Sequence, residues 1–124
     1  MRMTLILALA FLLPGCTRWS LDQHMDNAYR SYDQGNCARV MLELSKAERK
    51  SRARRYLQPE ISLLRGQCLE RQKLYVDAAQ TYEFILARYP DSEYGFRARA
   101  RLETLRQLGH YPINEPAKAH AAAL

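Results

Sequence analysis

At 124 residues the chain has room for one small domain and no more, and 48% hydrophobic with 26% charged side chains is ordinary globular composition. The formal net charge of +6 points to anionic partners, namely lipid head groups, anionic polysaccharide or acidic protein surfaces.

Taken in chain order, the first element is MRMTLILALAFLLPG, with Arg2 near its start and an apolar run from Met3 to Leu13 that only Thr4 interrupts. Eleven residues rise only about 16 Å as a helix, short of a hydrocarbon core about 30 Å thick. A positive start, a short apolar centre and a small-residue exit read as a secretory signal over residues 1–15. The exit, Leu13-Pro14-Gly15-Cys16, resembles a bacterial lipobox, with Pro14 in a slot where small or β-branched residues dominate. That resemblance implies cleavage before Cys16 and its acylation. Several acyl chains then anchor the chain stably through a tether over residues 16–20. Thr17 after the cysteine, in place of Asp, implies the periplasmic face of the outer membrane by the family's sorting habit. A soluble periplasmic product is the alternative. Export also sets nucleic acid aside as a partner.

From Leu21 to Gly109 the pattern is helical throughout. Leu21, Met25, Ala28 and Tyr32 form one stripe, closed by Gln34-Gly35-Asn36. Cys37, Val40, Met41, Leu44 and Ala47 form a second. After a basic linker, Leu57, Ile61, Leu64 and Cys68 form a third, with Pro59 and Glu60 suited to its first turn. Val76, Ala79, Tyr82, Leu86 and Tyr89 form a fourth, halted by Pro90. Ser92 offers an N-cap to a fifth carrying Ala98, Leu102, Leu105 and Leu108, which Gly109 stops. No stretch alternates as a strand would. Residues 110–124, rich in Pro and Ala, read as a flexible tail.

Cys37 and Cys68 remain after Cys16, and an even pair in an oxidising compartment invites a disulfide. The alternative is two buried free thiols packing as small apolar groups.

Gly66, Ala78 twelve residues on, Tyr82 four later and Pro90 eight after that make a pattern similar to the tetratricopeptide repeat (TPR). Ala28, Val40, Leu44 and Ala47 match it more loosely, offset by 38 residues from Ala28 to Gly66. The family's period is about 34, so the extra residues fall in the linker. The stretch ILARYPDSEYGFRARARLETL is also similar to TPR lipoproteins of Gram-negative envelopes, of the barrel-assembly and Tol–Pal-associated kinds. The resemblance implies an all-α domain over residues 21–109. It would hold two TPR-like hairpins and a C-terminal capping helix in a short right-handed solenoid. In that fold a bond between Cys37 and Cys68 would pin neighbouring hairpins. TPR stacks bind extended peptides along the first helix of each hairpin. Carried over by register, that surface holds Met25, Tyr29, Asp33, Leu63, Gln67, Glu70, Tyr94, Arg97 and Arg101. Tyrosine and arginine are enriched at binding hot spots. Tyr29 and Tyr94 serve equally well as packing residues, and a flat protein interface suits so short a stack as well as a groove does.

The residues 46–55, KAERKSRARR, hold Lys46, Arg49, Lys50, Arg52, Arg54 and Arg55 against the single Glu48. Part of this is a solvated helix end whose cations complement the C-terminal dipole. The rest is a candidate basic patch. Nothing in the chain reads as catalytic. His24, His110 and His120 are scattered, and Asp22, His24 and Asp26 read as a solvated face and not as a metal site. P-loop, nucleotide and zinc spacings are missing, and no cofactor is implied. The sequence therefore leads us to expect a lipid-anchored adaptor that recruits or scaffolds an envelope protein, such as an outer-membrane assembly, secretion or pilus component. A chaperone or pilotin for such a component fits the same features. The rival from another class is a binder of anionic polysaccharide or lipopolysaccharide through the basic patch with Arg97 and Arg101.

Overall fold

The structure, a computed structural model, describes residues 15–111, with side chains from Arg18 onward. Over that range the chain is all-helical. Five α-helices follow in order: α1 (Gly15–Asp33), α2 (Cys37–Lys50), α3 (Gln58–Arg71), α4 (Tyr75–Arg88) and α5 (Glu93–Gln107). A single 3-10 turn, Arg55–Leu57, leads into α3, and no strand occurs among the described residues. The signal assigned to residues 1–15 and most of the tail assigned to 110–124 lie outside the described residues. Residues 16–20, assigned to the tether, are helical and lie within α1.

Each helix start and stop has a local cause. Asn36 caps α2, its Oδ1 accepting from the Arg39 N–H at 3.0 Å, and Ser92 caps α5, its Oγ accepting from the Gly95 N–H at 2.9 Å. Three helices end in the same pair of reversed hydrogen bonds, with a left-handed residue at the position after the cap. In α1 the Asn36 N–H reaches Ser31 O and the Gly35 N–H reaches Tyr32 O, with φ +73° at Gly35. In α5 the His110 N–H reaches Leu105 O and the Gly109 N–H reaches Arg106 O, with φ +78° at Gly109. In α3 the left-handed position falls to Lys73, φ 62°, a strained conformation for a side chain with a Cβ.

The contacts divide the chain into two compact units after Ile61, inside α3. In the first unit, α1 and α2 pair as an antiparallel hairpin. Leu21, Met25 and Ala28 of α1 and Cys37, Val40, Leu44 and Ala47 of α2 are buried, as their spacing predicts.

In the second unit, α4 packs against α5 around Ala78, Ala79, Tyr82, Ile85, Ala98, Leu102 and Leu105, with Leu63 of α3 in the same cluster. Val76, expected on this face, is 68% exposed, because it points well over 100° away from the Ala78–Tyr82–Ile85 direction. Leu108 is also exposed, since α5 has already ended at Gln107. His110 and Tyr111 fold back on α4: the His110 ring stacks on Tyr75 at 3.7 Å, and the Tyr111 hydroxyl donates to Glu83. The expected tail is therefore docked for its first two residues.

Gly66 explains the close approach of α3 to α4. A Cβ built there would stand 2.6 Å from Tyr82 Cε1 and 3.1 Å from two further ring atoms. The ring cannot step aside, being fully buried with its hydroxyl held by Glu70 Oε2 at 2.8 Å. Gly66→Ala is therefore expected to destabilise by about 1–3 kcal/mol of overpacking, less about 1 kcal/mol regained in helix propensity. In a Tyr82→Leu background the same substitution is expected to be neutral or stabilising. Thermal melts of the four proteins read the difference, and equal effects in both backgrounds would refute the close-packing account.

Cys37 and Cys68 are disulfide-bonded, which resolves the sequence alternative of free thiols. Closing a loop of about thirty residues contributes roughly 3–4 kcal/mol in the chain-entropy model. Denaturant titration of Cys37→Ser/Cys68→Ser is expected to show a loss of that order, and reducing agent a comparable loss in the native chain only.

Candidate interaction surfaces

Two inward-facing carboxylates, one buried and one largely buried, organise the polar chemistry of the described residues, one in each unit. In the first unit Glu43 sits on the inner face of α2 with its side chain 2% exposed. His24 Nδ1 of α1 lies 2.7 Å from Glu43 Oε2, while Lys46 Nζ and Arg39 Nε lie 3.2 and 3.4 Å from Oε1. Burial pushes the Glu43 carboxyl up. The hydrogen bonds and charges of His24 and Lys46 more than offset it, and the group ends below the usual carboxylate range. His24 thus faces a partner on the neighbouring helix. Among the described residues no three His, Cys, Asp or Glu side chains converge as metal ligands would.

In the second unit Glu70 of α3 accepts from the buried Tyr82 hydroxyl of α4 at 2.8 Å and from Arg101 Nε of α5 at 3.1 Å. A second Arg101 nitrogen reaches the other carboxylate oxygen, making the pair bidentate. Burial, and next the Glu70 carboxylate, drive the Tyr82 phenol far above its ordinary value, so it stays a neutral donor. The Glu70 hydrogen bonds hold Arg101 firmly protonated. One carboxylate joins three helices.

These networks change the expected partner surface. Met25 and Leu63, assigned to it by register, are 8% and 4% exposed and belong to the cores. Glu70 and Arg101 are engaged with Tyr82 and with each other. Tyr94 is half-buried against the α4/α5 core, with the Arg97 guanidinium 6.0 Å from its ring centroid. Arg97 itself is exposed and paired with Glu93 one turn earlier. Gln67 is half-buried. In the first unit Asp33 is exposed, and Tyr29 keeps 41% of its surface open while its hydroxyl donates to Glu60 Oε1 at 2.7 Å. The outward-facing remainder is therefore Tyr29 and Asp33 on α1 in the first unit and Arg97 on α5 in the second, with Gln67 and Tyr94 half-buried.

The basic residues separate in the same way. Lys46 is tied to Glu43, and Arg54 is half-buried. Arg49, Lys50, Arg52 and Arg55 are exposed, and among the described residues none has an ion-pair partner. Sequence reasoning passed over the most exposed aromatic side chains: Trp19 at 72%, Phe96 at 71% and Tyr56 at 70%. Trp19 carried a usable signal, lying just beyond the cysteine at which the apolar segment ends. Phe96 and Tyr56 stood off every apolar stripe, which marks a residue as outward-facing once the helix register is known.

No described helix is long and apolar enough to cross a membrane. In comparison with known proteins, the chain matches no family description, no curated protein and no solved structure.

The lowered Glu43 carboxyl gives a signed pH dependence. Its contribution to stability is in place above the ordinary glutamate value of about 4.3 and is lost as pH falls through its lower native value. Glu43→Gln is expected to cost about 2 kcal/mol at neutral pH, since hydrogen bonds to charged groups are being weakened. The gap between variant and native chain should then close on acidification below about pH 4. Urea titrations at a series of pH values test this, and a gap that stays constant would overturn it.

Proposed function

We propose that the chain is an exported, lipid-anchored helical adaptor of TPR type, acting at the periplasmic face of the outer membrane. Acylated Cys16 fixes it to the membrane, and the helical domain recruits or scaffolds an envelope protein. No catalytic step is assigned to it. The observation that carries the repeat reading is the fit of the Tyr82 ring over Gly66, with Ala78 buried one turn before it. That is the packing for which the glycine, small-residue and aromatic spacing of the TPR pattern is suited. The apolar segment ending at Leu13-Pro14-Gly15-Cys16 supports the anchor. In the first unit Tyr29 and Asp33, and in the second Arg97, are the outward-facing residues among those assigned by register, and each unit offers its own to a protein partner.

A second reading, the binding of anionic polysaccharide or lipopolysaccharide, draws support from the exposed cations Arg49, Lys50, Arg52 and Arg55. Binding of that kind collapses with salt, because exposed charges are screened beyond about 8 Å at physiological ionic strength.

Photo-crosslinking in cells from positions 29 and 97, read by mass spectrometry, separates the two. One dominant envelope protein is the expected outcome, whereas a smear of glycan would transfer the function to polymer binding. Cys16→Ser is expected to abolish fatty-acid labelling and membrane fractionation, and retention of both would remove the anchor.

A further inference from the structure

The α1/α2 hairpin brings together residues that sit far apart in sequence. The turn at Gln34–Asn36 makes the two helices antiparallel, and the 2.7 Å contact from His24 to Glu43 sets their register. From that pair, seven residues toward the start of α1 reach Thr17, and seven toward the end of α2 reach Lys50. Both steps cover about 10 Å along their helices. The last turn of α2 therefore stands beside the first turn of α1. Arg49 and Lys50, with Arg52 in the turn that follows, thus share one end of the hairpin with Cys16, Arg18 and Trp19.

The chemistry of this end is specific. Arg18, Arg49, Lys50 and Arg52 are exposed, and none has an ion-pair partner among the described residues. Trp19, at the same level along α1, is 72% exposed, an unusual position for the chain's single tryptophan. Cations and an outward tryptophan at one end of a hairpin match the interfacial zone of a bilayer, where phosphates meet acyl chains and indole rings settle. A soluble polysaccharide would draw on the cations alone and leave the indole without a role.

We propose that this end of the α1/α2 hairpin is a docking surface for anionic lipid headgroups, with Trp19 entering the interface and Arg18, Arg49, Lys50 and Arg52 pairing with phosphates. The membrane placement rests on the anchored reading above, but the surface itself acts without acylation. Because Cys16 lies within α1, an acyl anchor there is carried by the helix itself. Headgroup docking then holds the hairpin end-on to the bilayer and turns the opposite end, with Asp33 and Gln34–Asn36, away from it.

The test uses the full chain carrying Cys16→Ser, so that no acyl chain contributes. It is titrated with vesicles of phosphatidylcholine alone or with 30% phosphatidylglycerol (roughly the anionic fraction at which surface potentials become appreciable). Trp19 emission is expected to shift to the blue and to be quenched by brominated acyl chains with the anionic vesicles only. Reversal of three charges, Arg49→Glu/Lys50→Glu/Arg52→Glu, should weaken partition on the order of a hundredfold. The control Arg88→Glu/Arg99→Glu, on exposed residues of the other unit, should change it severalfold at most. Because every protein in the set shares residues 1–15, any affinity of that segment for lipid cancels in the comparison. An unshifted Trp19, or equal losses in the two charge variants, would overturn the proposal. The same blue shift with a soluble anionic polysaccharide would overturn it in favour of the polymer reading. Fatty-acid labelling of the native chain reports separately on the anchor, so either idea can fail without the other.

Discussion

The second unit depends on the buried ring of Tyr82. It lies against the bare Cα of Gly66 on α3, and its hydroxyl reaches the Glu70 carboxylate, which in turn binds the Arg101 guanidinium of α5. Each part constrains the next. Without a Cβ at Gly66 the helices approach closely enough for the ring to fit. With the ring in place, its buried hydroxyl needs an acceptor, because a buried donor without one costs about 1–3 kcal/mol. Glu70 is that acceptor, and a largely buried carboxylate needs a cation, which α5 provides from one residue. A stack of short helices with few apolar side chains per turn gains its unique register from such a chain of requirements.

The first unit solves a similar problem with different residues. Glu43 is buried on α2 and is compensated by His24 across the hairpin and by Arg39 and Lys46 along its own helix. A buried carboxylate contributes little net stability relative to an apolar residue, but it tolerates only the alignment that pairs it. Its value here is register. By fixing residue 24 of α1 against residue 43 of α2, it places the last turn of α2, with its exposed cations, at the level of Cys16 and Trp19. Interior electrostatics thus decide what the hairpin presents at its end.

The surface cations are of two kinds. Arg97 and Arg106 pair with Glu93 and Glu103 on their own helix, and exposed pairs of that sort contribute little to stability and lower the local charge. Arg49, Lys50 and Arg52 face solvent without such partners among the described residues. A contiguous set of uncompensated cations repels itself and gains most from an anionic surface, whereas scattered compensated charge chiefly maintains solubility.

Much of the architecture was legible in the sequence because its signals are local. Periodic apolar residues, Asn36 and Ser92 as caps, Gly35 and Gly109 as left-handed stops and Pro90 after α4 act within one or two turns of themselves. They determine five helices, with bounds close to those expected from the pattern. The TPR-like spacing also singled out Gly66, Ala78 and Tyr82, but did not say that the Tyr82 ring would lie against Gly66. The partner surface was less legible. Helical register assigned Met25, Leu63, Glu70 and Arg101 to it, yet two of these are core and two form an internal network. Periodicity says which face of a helix a residue lies on, but not whether another helix covers that face or which charge will meet it. The same gap hid the role of His24. A lone histidine on a polar face acquires meaning only when a residue nineteen positions away is brought alongside. Sequence alone therefore determined the elements and their stops, because those follow from the chain's own short-range sterics and hydrogen bonding. The tertiary structure alone decided which side chains remain available for binding, because burial and charge pairing are properties of neighbours that the chain order does not supply.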